Sequence, residues 1–274
     1  MADAFNNYFS NTAEKLRESH CIDEMTLTQK EATKDKALRN REQQYPSMQF
    51  EHTTAKEIEK IIESLKTTNA QGYDEISAKV LKWSAPFISS PLAYICNRSL
   101  ETGIIPARLK YCTVIPIYKT GERLNINNYR PISTLISFSK ILENIIAKRI
   151  QEHITHYQIT ANEQYGFRTG VSTDNATYTL IQEILMAMNN KQIAGGIFCD
   201  LSKAFDCVNH RILISKLEYY GIRGTHKTLI NSYLKERYQR VIITGKTNAQ
   251  HSRWEIIKQG VPQGSILGLL LSLL

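Results

Sequence analysis

The segment GGIFCDLSKAFDCVNH, residues 195–210, contains the side chains of this sequence that are best placed to do chemistry. Three apolar residues, Ile197 to Cys199, run directly into Asp200, which predicts a buried strand over 193–201 that ends on a carboxylate. A buried carboxylate without a partner is costly, so it normally pairs with a cation or binds a metal. Carboxylate oxygen suits Mg²⁺. Asp200 is therefore a candidate metal ligand, although a salt-bridged or helix-capping aspartate fits the same pattern.

Two residues shortly after Asp200 allow both a chemical and a structural interpretation. If a nucleotide were bound at the metal, Phe205 would press on its sugar and exclude a 2′-hydroxyl group, but taken by itself this position is better explained by a core phenylalanine. Asp206 is interpreted as structural, because it is placed to cap the helix that is predicted to begin near Asn209.

Two loops elsewhere in the chain are suited to contact a polyanionic ligand. The loop QGVPQGSILG contains Gln263 and Gly264, and a glycine there allows the backbone to approach a ligand closely. Lys119 and Arg130 flank a polar loop, which predicts a hairpin that grips a triphosphate. In such a hairpin the arginine gives paired contacts and the lysine gives a point charge. An ordinary glycine turn and a solvated basic hairpin are the alternatives.

The residues around these motifs predict an α+β fold, in which helices are mixed with strands that look antiparallel. Thr54 and Glu57 form a capping-box pattern ahead of an apolar 3.6-residue period, so a helix is predicted from residue 54 to 65. Residues 1–49 are polar and are predicted to be a linker or a solvated helical segment ahead of a domain at 50–274. The other predicted elements are helices near 80–100, 141–150, 174–190, 209–220 and 225–236, a strand ending at Lys119, an extended YRPIS, a strand pair from YQRVIITG and RWEIIKQG, and an apolar helix in SILGLLLSLL.

The charge of the chain favours a polyanionic partner, either nucleic acid or an anionic membrane surface. The 274 residues carry a formal net charge of +8, with a pI near 9.1. Eight basic and two acidic residues lie between Arg108 and Arg149, and this concentration favours nucleic acid. The apolar SILGLLLSLL is shorter than the roughly 20 residues that cross a bilayer, so no membrane partner is expected.

The cysteines and histidines indicate an intracellular protein without a zinc site. The five cysteines are odd in number and contain no CxxC pair, which predicts reduced thiols. His153 and His156 have no cysteine or carboxylate cluster beside them in the sequence, so they are interpreted as structural. No signal peptide opens the sequence. The expected location is therefore the nucleus or the cytoplasm rather than the secretory route.

Taken in order, these motifs resemble the successive motifs of reverse transcriptases of non-LTR, LINE-type retrotransposons. The matching segments are NNYRPISTLISFSKILENIIAKRI, NEQYGFRTGVSTDNA, FCDLSKAFDCVNHRILISKLEYYGIRG, SYLKERYQRV and QGVPQGSILG. Upstream, NAQGYDEISAKVLK and GIIPARLKYCTVIPIYKTG are similar to the first segments of that family, so the resemblance covers roughly residues 50 to 268. The opening ADAFNNYF is similar to the linker that precedes the polymerase in such elements.

This resemblance implies the fingers and palm of a right-hand polymerase. Such an enzyme adds a dNTP to the 3′-hydroxyl of a DNA primer on an RNA template, with two Mg²⁺ ions as cofactors. By motif, Asp200 would be catalytic and would bind the metal, and Phe205 would be the gate that contacts the sugar. The residues expected at the nucleotide are Lys119, Arg130, Phe205, Gln263 and Gly264. The residues expected along the template strand are Gly72, Asp74, Gly166, Phe167 and Arg168.

The sequence departs from the family pattern in its carboxylates. The family's Tyr-x-Asp-Asp motif supplies the other metal-binding acid, and no two aspartates are adjacent in these 274 residues. Leu269 stands where the family usually has a proline, and a thumb is missing, so the chain is expected to be a truncated polymerase. One carboxylate does not hold two Mg²⁺ ions against water. We therefore expect weak or absent metal binding and no polymerisation by this chain alone.

The same sequence allows three other interpretations. The first is a non-catalytic RNA-binding remnant that uses the basic segment from Arg108 to Arg149. The second is a purely structural α+β protein, which would require the order of the motifs to be a coincidence. The third is a group II intron maturase, but AFDCVNH and GFRTGVST fit the retrotransposon type better.

Overall fold

The computed structural model describes residues 1–19, 45–67, 71–166, 168, 170–201, 203–244 and 248–274. The helices are α1 (Ala2–Ser10), α2 (Thr12–Ser19), α3 (Ala55–Ser64), α4 (Ala78–Thr102), α5 (Ser137–His156), α6 (Thr173–Asn189), α7 (His210–Tyr219), α8 (Gly224–Leu234) and α9 (Ile266–Leu273). The strands are β1 (Tyr111–Tyr118), β2 (Tyr129–Leu135), β3 (Arg237–Thr244), β4 (Ala249–His251) and β5 (Glu255–Ile257). These elements confirm the α+β class.

The strands form one mixed sheet in the order β2–β1–β3–β4, with β5 also paired to β3. β1 and β2 form the predicted antiparallel hairpin, which runs from Cys112 opposite Leu135 to Tyr118 opposite Tyr129. β1 and β3 are parallel, and β3 and β5 form the antiparallel pair predicted from the sequence. β2 therefore lies at an edge of the sheet, where one side of its backbone is open to a loop.

The main core lies among the helices and is filled by the apolar faces that the sequence predicts. Ile58 and Ile62 of α3 and Ile145 of α5 are fully buried. Burying a side chain of this size stabilises a fold by about 1.5–3 kcal/mol. At the start of α3 the hydroxyl of Thr54 accepts the backbone N–H of Glu57 at 3.2 Å, which is one half of the predicted capping box; the Glu57 side chain binds two basic residues of α5.

Helix α1 packs on the sheet through a second, smaller core. Phe5 is buried there with Val114 and Val241 of the central strands. The fully buried Asn6 donates to the carbonyl oxygen of Arg253 at 2.9 Å. The start of the predicted linker is thus a packed helix. Residues 20–44 lie outside the described residues, so the domain boundary predicted near residue 50 stays a prediction.

The strand predicted over 193–201 does not form, and this prediction was wrong. The segment has no regular secondary structure, and Ile197 and Phe198 are 93% and 87% exposed. An apolar run indicates a preference for burial, but a strand also needs a neighbour for its backbone hydrogen bonds, and none of the described strands pairs with it. Helix α6, directly before it, forms as predicted but contains no buried side chain.

The described residues include four of the five cysteines and all the helices given above. None of the four cysteines described is in a disulfide, and Cys21 lies outside the described residues, so the reduced state of the thiols stays a prediction. Within the same residues, no helix combines the length and the apolar character that crossing a bilayer requires.

A partly buried ion cluster joins α3 to α5. Arg149 makes paired bonds to the Glu57 carboxylate at 2.8 and 3.1 Å, and Lys148 adds a third at 2.7 Å. Burial alone would raise the pKa of Glu57, but hydrogen bonds from Arg149, Lys148 and Thr53 outweigh it and lower the pKa from 4.5 to about 2. The ionised form of Glu57 is therefore favoured by folding.

Replacing Glu57 by glutamine is expected to lower the free energy of unfolding by about 2 kcal/mol at pH 7, because Arg149 loses its buried partner. A carboxyl whose folded pKa is lowered stabilises the fold above its unfolded pKa. The difference between the native chain and E57Q should therefore shrink as the pH falls from about 4.5 towards 2. Urea unfolding of both proteins at several pH values measures this difference in the free energy of unfolding.

Glu63→Gln is the control, because Glu63 is an exposed carboxylate on the same helix. It should change the unfolding free energy by less than about 0.5 kcal/mol. Equal effects of the two substitutions would contradict the assigned role of Glu57.

Candidate functional site

Asp200, the predicted metal ligand, lies exposed in the segment without regular structure that follows α6. The described residues contain no group of three or more His, Cys, Asp or Glu side chains that could hold a metal ion. Mg²⁺ demands near-octahedral oxygen coordination and gives up its waters reluctantly. No metal-dependent step follows from this arrangement. The role of Asp200 as a ligand stays a prediction from the sequence.

Asp206 is the aspartate that contacts the predicted glycine loop. Nε2 of Gln263 donates to Oδ1 of Asp206 at 3.0 Å. Burial raises the pKa of the Asp206 carboxyl, and the hydrogen bond from Gln263 and the positive charge of Lys203 offset part of that effect. The two motifs, 57 positions apart in the sequence, are thus joined through their side chains.

Asp206 does not cap the following helix, so that prediction was wrong. Helix α7 begins at His210, and Oδ1 of Asn209 accepts the backbone N–H groups of Arg211 at 2.9 Å and Ile212 at 3.2 Å. An amide oxygen directly before a helix satisfies these first donors. The Asp206 carboxylate is therefore available to Gln263.

Backbone hydrogen bonds extend the contact between the two motifs. The N–H of Val261 donates to the carbonyl oxygen of Phe205 at 2.8 Å, and the N–H of Gly260 donates to that of Val208 at 3.0 Å. The Phe205 side chain is partly buried against the main core. Segment 205–210 and loop 260–264, which we name the junction, therefore form one hydrogen-bonded unit.

The junction also lies along the free edge of β2. The N–H of Ser133 donates to the carbonyl oxygen of Gln263 at 2.8 Å. Gly264 has a φ of +105°, and a Cβ atom there would lie 3.1 Å from the carbonyl oxygen of Ser133. A left-handed backbone at close approach favours glycine. Close packing against β2 therefore accounts for the glycine at position 264, whether or not a ligand binds.

A small cavity opens between the junction and the N-terminal helices. Pro131 and Gln263 line one side of it, and Phe9 and Glu14 line the other. Its volume is about 70 Å³. Pockets for small-molecule ligands usually measure roughly 300–1,000 Å³. The cavity in this arrangement is therefore too small for a whole nucleotide.

Helix α1 is bonded to both the segment after Asp200 and the hairpin loop. The Lys203 ammonium donates to the Tyr8 hydroxyl, which donates in turn to the side-chain oxygen of Asn127. The Lys203 ammonium also lies 4.6 Å from the centre of the Tyr8 ring, within the range of a cation–π contact. The contacts of Tyr8 were not predicted, because the N-terminal sequence has no family motif that singles it out.

Lys119 and Arg130 lie where predicted, at the two ends of the loop that joins β1 to β2. The backbone N–H of Lys119 donates to the carbonyl oxygen of Asn128 at 2.8 Å, and Arg130 is paired opposite Ile117. Both basic side chains are exposed, and neither forms a salt bridge within the part of the chain that the structure describes. The hairpin thus offers two cations to an anionic ligand.

Gly72 and Asp74 form a tight turn, and the structure gives both of them local roles. The N–H of Glu75 donates to the carbonyl oxygen of Gly72 at 3.1 Å, and the Asp74 carboxylate accepts the N–H of Ile76 at 3.3 Å. A Cβ atom on Gly72 would lie 2.5 Å from the Ile136 side chain. Close packing accounts for this glycine, and its role at a template stays a prediction.

Gly166 and Arg168 line a different cavity, beside α5, α7 and α9. Among the described residues, this cavity shares no lining residue with the one at the junction. The Arg168 guanidinium donates to the carbonyl oxygen of Ala161 at 3.3 Å, and Phe167 lies outside the described residues. The structure does not bring this motif to the junction, and its template role also stays a prediction.

A buried network beneath the junction contains a carboxylate that the family motifs do not single out. Glu143 of α5 accepts the Tyr233 hydroxyl at 3.0 Å and the backbone N–H of Ile266 at 3.0 Å. Burial raises the pKa of Glu143, and the charge of Arg237 and the hydrogen bonds to the carboxylate offset part of that effect. The sequence indicated it only as a charge inside the apolar run ILENII.

The comparison with protein families assigns the class. The family model described as "Reverse transcriptase (RNA-dependent DNA polymerase)" matches residues 117–272, a range that includes most of the hairpin and the whole junction. This chain therefore belongs to the reverse transcriptase family. Its relatives assign it further to the reverse transcriptase domains of non-LTR, LINE-type retrotransposons, as the motifs predict.

Two of these relatives come from Drosophila melanogaster. The chain is 33% identical over 232 residues, 82% of its length, to the "Probable RNA-directed DNA polymerase from transposon BS". It is 31% identical over 223 residues, 81% of its length, to the "RNA-directed DNA polymerase from mobile element jockey". The chain spans only 24% of the length of each of these two relatives.

The bond between Asp206 and Gln263 is expected to couple the two motifs energetically. In a double-mutant cycle with Asp206→Ala and Gln263→Ala, we expect a coupling of about 1 kcal/mol, because each substitution removes the same partly buried hydrogen bond. Urea unfolding of the native chain, the two single variants and the double variant measures this coupling.

Asp206→Asn is the control, because asparagine keeps an oxygen that can accept from Gln263 and removes the charge. Since burial raises the pKa of Asp206, its ionisation opposes folding as the pH rises through that pKa. D206N should consequently be at least as stable as the native chain at pH 7. Additive effects in the cycle would show that the 3.0 Å contact contributes nothing.

Proposed function

We propose that these 274 residues form the template-binding and nucleotide-binding part of an RNA-directed DNA polymerase, with the fingers and part of the palm. The junction is the observation that supports this function most, because it holds the AFD and PQG motifs together at the edge of the strand that continues from the basic hairpin. The RNA template, the DNA primer and the dNTP are the proposed partners.

In this proposal the hairpin holds the triphosphate of the incoming dNTP. Arg130 offers paired donors to phosphate oxygens and Lys119 offers a compact charge, so together they recognise a polyanion. Phe205 would contact the sugar, and Gln263 and Gly264 would line the pocket for the nucleotide and the template. Because the cavity at the junction is small, α1 and α2 have to shift when a whole nucleotide binds there.

The template assignment rests on the motifs, with Gly72, Asp74, Gly166 and Arg168 as its described residues. The basic excess between Arg108 and Arg149 supports an RNA partner, since phosphate neutralisation supplies most of the affinity of sequence-independent binding. The magnesium role of Asp200 rests on the resemblance alone.

A second function is favoured by the exposure of Lys119 and Arg130. The chain would then bind RNA through the basic segment and perform no chemistry. The two functions differ in what the hairpin contacts: the triphosphate of a dNTP in the first, and RNA phosphates in the second.

Removing both cations of the hairpin in Lys119→Ala/Arg130→Ala should weaken the binding of dATP by at least about tenfold, because charged hydrogen bonds to phosphate are lost. The affinity for a single-stranded RNA should change much less. Fluorescence titration with labelled dATP and with labelled RNA measures both dissociation constants.

Lys56→Ala/Lys60→Ala is the matched control, because it removes the same charge from exposed positions on α3. It should leave the binding of dATP unchanged. A native chain that binds RNA but not dATP, and whose salt dependence of RNA binding becomes weaker in the hairpin variant, would favour the RNA-binding function instead.

Primer extension tests the catalytic expectation. The chain, incubated with Mg²⁺, an RNA template, a DNA primer and dNTPs, should extend no primer, because its sequence contains no adjacent pair of aspartates and one carboxylate does not hold two Mg²⁺ ions. Asp200→Asn is the control. Robust extension that D200N abolishes would contradict this expectation and would establish Asp200 as a ligand.

A further inference from the structure

The loop that carries Gln263 and Gly264 runs directly into helix α9, and a carboxylate from α5 binds the first turn of that helix. Oε2 of Glu143 accepts the N–H of Ile266 at 3.0 Å. The first N–H groups of a helix have no partner within the helix. Glu143 supplies an acceptor for one of them from another helix.

Hydrogen bonds of Ser265 connect the loop to the first turn of α9. The Ser265 hydroxyl donates to the carbonyl oxygen of Pro262 at 3.0 Å and accepts the N–H of Gly268 at 2.9 Å. The Tyr233 hydroxyl lies 3.3 Å from the same oxygen and 3.0 Å from Oε1 of Glu143. Tyr233 thus links the carboxylate to the serine.

This network is sealed from solvent. Glu143 and Tyr233 are each 2% exposed, and Ser265 is 4% exposed. The guanidinium of Arg237, also 2% exposed, lies 4.6 Å from the centre of the Tyr233 ring and compensates the nearby acid. Nε and Nη2 of Arg237 have no hydrogen-bond partner among the described residues. The polar side-chain atoms of Glu143, Tyr233 and Ser265, by contrast, are all hydrogen-bonded. Buried polar groups that are hydrogen-bonded make a site rigid. A rigid support is what a binding loop needs.

We propose that Glu143 is a positioning residue for the nucleotide-binding loop. By fixing the start of α9, its carboxylate holds Gln263 against Asp206 and Gly264 against the edge of β2. The proposal rests on the proposed function in one assumption only, which is that this loop contacts the nucleotide. The support of the loop by Glu143 does not depend on that assumption.

Three variants separate positioning from general stability. Glu143→Leu has a similar size but removes both acceptors. Glu143→Gln keeps one acceptor oxygen for the N–H of Ile266. Ile62→Ala is the matched control, because it opens a cavity in the core at a fully buried position of α3 without altering a hydrogen bond of α9.

Two measurements are made at a temperature at which every variant remains folded. Hydrogen exchange of residues 259–268, followed by mass spectrometry without nucleotide, reports whether the loop is held. Titration with dATP and with RNA reports whether binding depends on it. In E143L we expect exchange to be faster and dATP binding to be weaker, each by about tenfold or more, with RNA affinity within about twofold of the native chain.

E143Q should stay within about threefold of the native chain in both measurements, and I62A should alter neither. Unchanged exchange in E143L, or the same increase in I62A, would overturn the positioning role. If the native chain binds no dATP, the proposal that this loop binds a nucleotide is wrong. The comparison of hydrogen exchange, which is made without nucleotide, still decides the positioning role of Glu143.

Should E143L fail to fold, Tyr233→Phe replaces it. That variant removes the hydroxyl that holds the Glu143 carboxylate and links it to Ser265, so the carboxylate should hold the N–H of Ile266 less firmly. Faster exchange confined to residues 259–268 is then the expected result. Exchange equal to that of the native chain would overturn the proposal.

Discussion

The structure of the candidate site depends on the hydrogen bonds that join segment 205–210 to loop 260–264. The bond from Gln263 to Asp206 is made in a partly buried place, where the alternative to pairing is an unsatisfied polar group. The bond from Ser133 to Gln263 then fixes the same loop to the sheet. Two motifs that are distant in sequence become one unit because their polar groups satisfy each other.

Three carboxylates of this chain show how the surroundings decide what an acid does. Asp200 is exposed and is not held by a regular element. Asp206 is partly buried, and its hydrogen bond holds a neighbouring motif. Glu143 is almost fully buried and binds the start of a helix. The family motifs drew attention to the first of these acids, while packing gave the other two their structural roles.

The helices, the hairpin and the strand pair of this fold could be predicted from the sequence. The apolar period behind Thr54 and the YCTVIPIYK run gave α3 and β1, because local spacing determines which face each element buries. The absence of a strand over 193–201 could not be predicted in this way, since the run IFC indicates burial without saying which strand would pair with it. The packing of α1 on the sheet was missed because residues 1–49 as a whole are polar and α1, with nine residues, is too short to show a long apolar period.

The sequence by itself determined the family of this protein, its basic character and the order of its motifs, because these are written in residue types and spacing. Tertiary structure alone decided which carboxylate meets Gln263, which residue caps α7 and what lies beneath the glycine loop. These outcomes depend on contacts between residues that are tens of positions apart, such as Glu143 and Ile266. Such a pairing forms only when folding places both groups in the same region of low dielectric.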